Sequence, residues 1–100
     1  MNIYLFCSGG FSTSLLAQNM KKEFQNQGYG DIDVQAFDYG SLEDVVDEAD
    51  LVLLAPQIAW VKNDVEEEYP EKKVMVMEMQ DFGSMDGSKM VEKVKGGLGI

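Results

Sequence analysis

Short apolar runs alternate along this chain with longer amphipathic segments, a pattern typical of parallel βαβ units. The segments between the strands repeat apolar residues at helical spacing, as Leu16, Met20 and Phe24 do at i, i+4 and i+8. The pattern predicts strands at residues 2–6, 32–37, 50–54 and 73–78, and helices at residues 13–27, 41–48, 58–68 and 86–95. Since nothing resembling a linker or a repeat interrupts this order, we expect residues 1–100 to form one domain.

Residues typical of helix caps indicate where some of these elements begin and end. Ser12 is a suitable N-cap for the first helix, and Gly28 is a suitable stop at its C-terminus. The run from Leu51 to Leu54 is apolar throughout, which favours a strand buried on both faces. The closing helix is expected to fray at Gly96, and residues 79–83 are expected to be a loop.

The predicted architecture is an α/β fold, a four-stranded parallel sheet with helices on both faces. Ligands of such sheets bind at the carboxyl ends of strands, near the point where the strand order reverses. The segments that follow strands one, three and four are residues 7–14, 55–57 and 79–83. We therefore expect these three segments to converge around Cys7.

Composition narrows the function classes. The formal net charge is −10, from 18 acidic residues against 8 basic ones. This balance argues against nucleic-acid binding and against adsorption to anionic membranes, both of which need concentrated positive charge. A single cysteine allows no internal disulfide, and we find neither a signal-peptide pattern nor an apolar run long enough to span a bilayer. We expect a cytoplasmic protein.

Two residue types are missing from the chain, and their absence excludes several mechanisms. There is no histidine, so neither a Cys–His pair nor a Ser–His–Asp triad can be built from this chain alone. All eight basic residues are lysines. The Cys-x5-Arg loop of tyrosine-phosphatase-like enzymes is therefore impossible, although Cys7 lies in a similar setting.

Cys7 stands where the first strand gives way to a glycine-containing turn and a helix N-terminus. Such a helix end binds anions through its backbone N–H groups, and the same field favours thiolate, the nucleophilic form, over thiol. Gly9 and Gly10 permit close backbone approach, and the neighbouring serine and threonine hydroxyls add donors. These residues favour transient phosphocysteine formation. The competing interpretation is a small buried apolar cysteine.

Three segments resemble one known family. Residues 7–16, Cys-Ser-Gly-Gly-Phe-Ser-Thr-Ser-Leu-Leu, are similar to the C-S-x-G-M-S-T-S-x-L loop of lactose/cellobiose-type IIB components of the bacterial phosphoenolpyruvate-dependent sugar phosphotransferase system. Residues 53–60, Leu-Leu-Ala-Pro-Gln-Ile-Ala-Trp, are close to the family's L-L-G-P-Q-I-A-Y. Residues 82–87, Phe-Gly-Ser-Met-Asp-Gly, match its Y-G-x-x-D-G.

The resemblance implies a sheet of strand order 2-1-3-4 and a protein-cysteine phosphotransferase. It implies that Cys7 accepts a phosphoryl group from a histidine of a IIA protein and passes it to a sugar of β-glucoside or disaccharide type, imported by a membrane IIC permease. The expected phosphate-binding residues are Ser8, Gly9, Gly10, Phe11, Ser12, Thr13 and Ser14. We expect no cofactor and no metal.

A few further residues have two interpretations. Phe11, which replaces the family's methionine, is a candidate interface anchor. Gln57 either closes a turn or contacts a phosphoryl group or a partner, and Trp60 is either helix core or an exposed docking aromatic. Asp81 is interpreted as a solvated surface residue, and the acidic run at residues 64–68 as a solvated helix face rather than a metal site.

Three rival functions remain beside the phosphocarrier. An arsenate-reductase-like or phosphatase-like enzyme is disfavoured by the missing arginine and second cysteine. A regulatory phosphate-loop module that senses phosphorylation could retain Cys7. A flavodoxin-like nucleotide-binding protein would not need the cysteine.

Overall fold

The computed structural model describes residues 1–8 and 11–100, and for residues 11 and 12 it describes the backbone only. The elements follow in the order β1 (Asn2–Cys7), α1 (Phe11–Asn26), β2 (Asp33–Asp38), a 3-10 turn (Tyr39–Ser41), α2 (Leu42–Val45), a second 3-10 turn (Val46–Glu48), β3 (Leu51–Leu54), a 3-10 segment (Pro56–Val61), α3 (Lys62–Glu68), β4 (Lys73–Val76), α4 (Met79–Ser84) and α5 (Gly87–Leu98).

The four strands form one parallel sheet of order β2-β1-β3-β4, which confirms the predicted topology. β1 lies in the middle of the sheet, where Ile3 pairs with Val34 of β2 on one side and with Leu51 of β3 on the other. Because the chain moves outward from β1 in both directions, the strand order reverses next to β1. Cys7, the last residue of β1, therefore lies at the switch point.

Both faces of the sheet are covered. Successive strand residues point to opposite faces, yet every residue from Ile3 to Cys7 is buried, as is every residue of β3. α1 packs against α5. Right-handed crossovers place the connections through α2 and α3 on the face opposite α1. The buried apolar side chains of the described residues belong to one hydrophobic core.

The first helix begins earlier than its apolar stripe predicted. α1 starts at Phe11 rather than at Thr13, so Ser12 lies inside the helix and the prediction that Ser12 is its N-cap was wrong. The reason is that apolar periodicity detects only the turns that face the core, and the first turn of α1 lies at the edge of the sheet. The predicted stop is confirmed, because α1 ends at Asn26 and Gly28 has a left-handed φ of +89°.

Two predicted continuous helices are broken by 3-10 geometry. Between β2 and β3 only Leu42–Val45 is α-helical, and 3-10 turns flank it on both sides. After β3, the segment Pro56–Val61 is 3-10 and Ile58 has non-helical angles (φ −118°, ψ 25°) before α3 begins. Ile58 is buried, and the kink directs its side chain into the core.

The C-terminal quarter departs most from the prediction. Residues 79–83, expected to be a loop, belong to α4, which ends at Met85 in the left-handed region. The closing helix does not fray at Gly96 but continues to Leu98. Gly97 lies against Met75, so an added Cβ would lie 2.5 Å from the Met75 sulfur. This glycine serves close packing, and the left-handed Gly99 ends the helix.

None of the helices in the described part of the chain has the length and apolar character that a membrane span requires. The acidic run of α3 is exposed at Asp64, Glu66, Glu67 and Glu68, as a solvated helix face requires.

Candidate active site

Cys7 is held at the carboxyl edge of the sheet by pairing on both sides of β1. It is 6% exposed and lies opposite Asp38 in the register with β2. On the other side, the Ala55 N–H donates to the Phe6 carbonyl at 2.9 Å, just beyond the end of β3. The thiol therefore occupies a fixed position at the carboxyl end of the central strand.

The first turn of α1 lies against this thiol. Thr13, the third residue of the helix, is fully buried, and its Oγ1 donates to the Cys7 Sγ at 2.6 Å. Backbone N–H groups in a first helical turn have no partner within the helix, and the helix dipole adds positive potential there. The sulfur consequently meets a hydroxyl donor and the positive end of a 16-residue helix.

The other predicted phosphate-binding residues are only partly described. Ser8 and Ser14 are exposed. Gly9 and Gly10, and the side chains of Phe11 and Ser12, lie outside the described residues. The interpretation of Phe11 as an interface anchor therefore stays a prediction.

The segments after β3 and β4 reach the same edge, as expected from a parallel sheet. The Met77 N–H donates to the Leu54 carbonyl at 2.8 Å, which aligns the chain leaving β4 with the end of β3. Gln57 is exposed in the segment after β3. Trp60, for which two interpretations were open, is 74% exposed and so is not part of the core.

Asp81 is not the solvated surface residue that was expected. It is 5% exposed, and its carboxylate accepts a hydrogen bond from Lys93 of α5, which also pairs with Glu78 at 3.1 Å. Asp81, and then Glu78, raise the pKa of Lys93 by stabilising its ammonium form. The pair joins α4 to α5, an arrangement invisible in the sequence because α4 was read as a loop.

Sequence reasoning overlooked one charged residue at this edge. Asp38 ends β2 opposite Cys7, and its carboxylate accepts from the Gly40 N–H at 3.2 Å, which caps the following 3-10 turn. The signal was available, since Asp38 is the last residue before a glycine-containing turn at the end of a strand next to β1. Asp38 adds negative charge to the edge where the sulfur lies.

The third segment that resembles the family, residues 82–87, positions α5 against α1. Asp86 caps α5 by accepting from the Lys89 N–H at 3.1 Å. Gly87 packs directly on α1, where an added Cβ would lie 2.7 Å from the Asn19 carbonyl carbon and oxygen. Asn19 Nδ2 also donates to the Met85 carbonyl at 3.0 Å. The Asp-Gly pair therefore fixes α5 against the helix that carries Thr13.

The fold and this edge define a small α/β domain whose buried nucleophilic side chain faces a helix N-terminus. Comparison with known proteins agrees. The family described as PTS system, Lactose/Cellobiose specific IIB subunit, matches residues 2–93. The chain is 32% identical over 93 residues to the oligo-β-mannoside-specific EIIB component of Bacillus subtilis (strain 168), covering 91% of this chain and 89% of that protein.

Structural and partial matches point the same way. The cellobiose-specific phosphotransferase IIB component of Borrelia burgdorferi has a TM-score of 0.75 and 33% identity, covering 97% of this chain and 90% of that one. A lactose-specific EIICB component of Streptococcus mutans is 34% identical over 58 residues, which are 58% of this chain and 10% of that protein. The chain belongs to the lactose/cellobiose-specific IIB family of the sugar phosphotransferase system. It is thus a phosphotransferase component.

Proposed function

We propose that Cys7 is the phosphorylated residue of this IIB component. The observation that carries the proposal is the buried contact of 2.6 Å from Thr13 Oγ1 to the Cys7 sulfur, at the carboxyl end of the central strand. A hydroxyl donor and a helix N-terminus both stabilise negative charge, first on a thiolate and then on a phosphoryl group. Cys7 is also the only cysteine of the chain.

The reaction needs two in-line transfers. In the first, the Cys7 thiolate attacks the phosphorus of a phosphohistidine on a IIA protein; the S–P bond forms, the P–N bond breaks, and the released imidazole takes up a proton. In the second, a sugar hydroxyl attacks the same phosphorus; the O–P bond forms, the S–P bond breaks and releases the Cys7 thiolate, and the hydroxyl proton passes to solvent. Residues 1–100 contain no histidine, so the donor imidazole must come from outside them.

The phosphoryl group would be held by backbone amides and hydroxyls. We assign this role to the segment that follows Cys7, namely Ser8, Gly9, Gly10, Phe11, Ser12, Thr13 and Ser14. Because the chain has no arginine, no guanidinium can hold the phosphoryl group, and amide donors stabilise it without a full positive charge. Binding of moderate strength suits a phosphoryl group that must be passed on to a sugar.

The partners follow from this chemistry. We propose a IIA phosphodonor and a membrane IIC permease that presents the sugar, and we assign contact with a partner to Gln57 and Trp60. The name of the Streptococcus mutans relative, an EIICB component, joins the IIC and IIB designations in one protein. Residues 1–100 would act as one phosphocarrier domain in the cytoplasm, peripheral to the membrane through the permease. The named relatives favour a β-linked disaccharide or oligosaccharide as the sugar.

The test is phosphorylation of the purified chain by a IIA protein of a lactose/cellobiose-type system, phosphorylated on histidine. We expect the intact mass to rise by one phosphoryl group and peptide mapping to place that group on Cys7. Cys7→Ser is expected to keep the circular dichroism spectrum of the wild type and to abolish both labelling and sugar phosphorylation.

Two outcomes would refute the assignment. One is a phosphoryl group on a serine of the wild-type chain. The other is sugar phosphorylation retained by Cys7→Ser. Labelling of Cys7 with no transfer to any sugar by permease-containing membranes would instead support the regulatory alternative.

A further inference from the structure

Asp38 places a carboxylate beside the reactive sulfur, and the phosphoryl transfer described above does not use it. Asp38 is the last residue of β2, and the register of the sheet sets it directly opposite Cys7 of β1. Neighbouring strands of a sheet lie about 5 Å apart. A negative charge therefore lies next to the position at which the phosphoryl dianion would form.

The side chains of Cys7 and Asp38 lie on the same face of the sheet. The pair that precedes them, Phe6 and Phe37, stacks its rings with centroids 5.8 Å apart, so register partners of β1 and β2 share a face. Side chains alternate along a strand, and Asp38 still has extended angles (φ −70°, ψ 144°). Cys7 and Asp38 therefore point to the opposite face, which is the face where Thr13 of α1 contacts the sulfur.

The Asp38 carboxylate is held in place by the turn that follows β2. It accepts a hydrogen bond from the Gly40 N–H at 3.2 Å and so caps the 3-10 turn Tyr39–Ser41. The space beside it is narrow, because a Cβ added at Gly40 would lie 3.0 Å from Asp38 Oδ2. A carboxylate held in this way keeps its charge at the edge of the sheet, whereas an unrestrained one would turn towards solvent.

The segments at this edge contain no cationic side chain that would offset the charge. Neither lysine nor arginine occurs in the stretches that follow the four strands, which are residues 8–15, 39–45, 55–61 and 77–86. Lys93 of α5 is already bonded to Asp81 and Glu78. A phosphoryl dianion on Cys7 would therefore be stabilised by amides and hydroxyls and repelled by Asp38.

We propose that Asp38 raises the phosphoryl-transfer potential of Cys7: its charge destabilises the phosphocysteine and so favours departure of the phosphoryl group to the sugar. This role rests on the proposed function of Cys7. When the phosphoryl group enters, the P–N bond of the donor breaks and the S–P bond forms beside Asp38, which repels the new dianion. When it leaves, the O–P bond to the sugar forms, the S–P bond breaks to release the thiolate, and the repulsion is reduced. Asp38 takes up no proton in either step.

The test measures how the phosphoryl group is distributed at equilibrium between Cys7 and the histidine of a IIA protein of a lactose/cellobiose-type system, read from the intact masses of both proteins. Asp38→Asn removes the charge and keeps a capping side chain of the same shape. We expect it to shift the distribution towards phosphocysteine by about threefold to thirtyfold, the effect of removing one charge close to another near a protein surface. Transfer from the phosphorylated variant to sugar by permease-containing membranes is expected to slow by a similar factor.

Two further substitutions separate the effect of charge from that of structure. Asp38→Ser also lacks the charge and retains an oxygen that caps the turn, so it is expected to follow Asp38→Asn. Asp31→Asn is the matched control, because it removes the same charge from an exposed residue that precedes β2 and so lies at the opposite edge of the sheet. Its equilibrium and its rate of onward transfer are expected to stay at the wild-type values.

Ionic strength provides a readout that a merely structural role would not change. Asp38 is exposed, so salt screens its charge. When NaCl is raised from about 0.05 M to about 0.5 M, we expect the difference in equilibrium between the wild type and Asp38→Asn to shrink by about half or more. A difference that is independent of salt would contradict an electrostatic role.

The contradicting results are separable from failure of the proposed function. If the donor labels Cys7 of the wild type and Asp38→Asn keeps the wild-type equilibrium and onward rate, the role of Asp38 is wrong while the function stands. A shift of Asp38→Asn away from phosphocysteine would also overturn this role, because it would show that Asp38 stabilises the phosphorylated state. No labelling of Cys7 in the wild type would refute the function itself.

Discussion

At the scale of single residues, the site depends on two atoms that different elements bring together. Cys7 ends a strand and Thr13 belongs to the first turn of a helix, and the Thr13 hydroxyl lies 2.6 Å from the sulfur. The side chain of Thr13 is fully buried. Its hydroxyl thus has a defined partner, and the sulfur gains a donor that sequence reasoning had assigned to the phosphoryl group.

We expect Thr13→Val to slow phosphoryl acceptance by Cys7 about tenfold to a hundredfold, the usual value of a hydrogen bond to a charged group. Valine is close to threonine in shape, so the fold is retained. Thr13→Ser, which keeps the hydroxyl, is the matched control and is expected to remain within about threefold of the wild type. The measurement is the initial rate of labelling at a saturating concentration of the phosphohistidine donor.

A second readout distinguishes an effect on the sulfur from an effect on the bound phosphoryl group. The rate of alkylation of Cys7 by iodoacetamide, with no donor present, is expected to fall in Thr13→Val and to remain near the wild-type rate in Thr13→Ser. A Thr13→Val variant that accepts phosphoryl groups at the wild-type rate would show that the hydroxyl contact has no part in the reaction.

At the scale of elements, the strands could be predicted almost completely and the helices only in part. β3 could be predicted because four consecutive apolar residues, Leu51–Leu54, favour a strand buried on both faces. The predicted topology also placed Cys7 at the carboxyl edge of the sheet. The starts of α1 and α3 could not be predicted, because capping and 3-10 geometry depend on contacts that periodicity does not contain.

The missed helix α4 illustrates what sequence reasoning lacked. Its six residues include a glycine and an aspartate, both poor helix formers. Two tertiary contacts hold it: the buried Asp81 accepts from Lys93 of α5, and Phe82 packs into the core. Since Lys93 is twelve residues away, no local pattern could reveal that Asp81 is buried.

The prediction at the scale of elements concerns Gly87, because this residue sets how closely α5 approaches α1. An added Cβ would lie 2.7 Å from backbone atoms of Asn19, which cannot move without shifting α1. We expect Gly87→Ala to lower the free energy of unfolding by about 1–3 kcal/mol. The measurement is urea denaturation followed by circular dichroism.

Gly96 offers the matched control within the same helix. Nothing lies within 4 Å of a Cβ added there, and its position is helical, so Gly96→Ala is expected to raise the free energy of unfolding by about 0.5–1 kcal/mol. Opposite signs for the two substitutions would confirm that packing on Asn19, and not helix propensity, decides the effect at Gly87. Equal stabilisation by both would contradict the close approach.

At the scale of the whole molecule, negative charge dominates, and nearby carboxylates contribute to the raised pKa values of several groups. Burial, and then a hydrogen bond to Glu48 at 3.1 Å, raise the pKa of Tyr4 above its ordinary 10.0. Burial and neighbouring carboxylates raise the pKa values of Tyr39 and Tyr69 in the same direction. Asp81 and Glu78 raise that of Lys93 above 10.5. All four groups therefore hold their protons more tightly in the folded chain than in the unfolded chain.

The sign of the pH dependence follows from linkage. A group whose pKa is raised by folding contributes its full stability below its ordinary pKa and loses that contribution as the pH rises through the folded value. We therefore expect the urea midpoint to be level up to about pH 9 and to fall steadily towards about pH 11. Tyr4→Phe, which cannot ionise, is expected to cost about 0.5–1.5 kcal/mol at neutral pH through the lost bond to Glu48 and to show a smaller alkaline decline.

Salt separates the contributions of specific groups from the repulsion of the whole chain. With a formal charge of −10, the folded chain gains stability from screening, so about 1 M NaCl is expected to raise the urea midpoint at every pH. If general repulsion alone caused the alkaline decline, this salt would remove it, and Tyr4→Phe would decline as the wild type does. We expect instead that a decline persists in salt and is smaller in Tyr4→Phe, because deprotonation of a buried phenol next to Glu48 is little affected by screening. A urea midpoint that stays constant from about pH 8 to about pH 11 would contradict the raised pKa values on which this expectation depends.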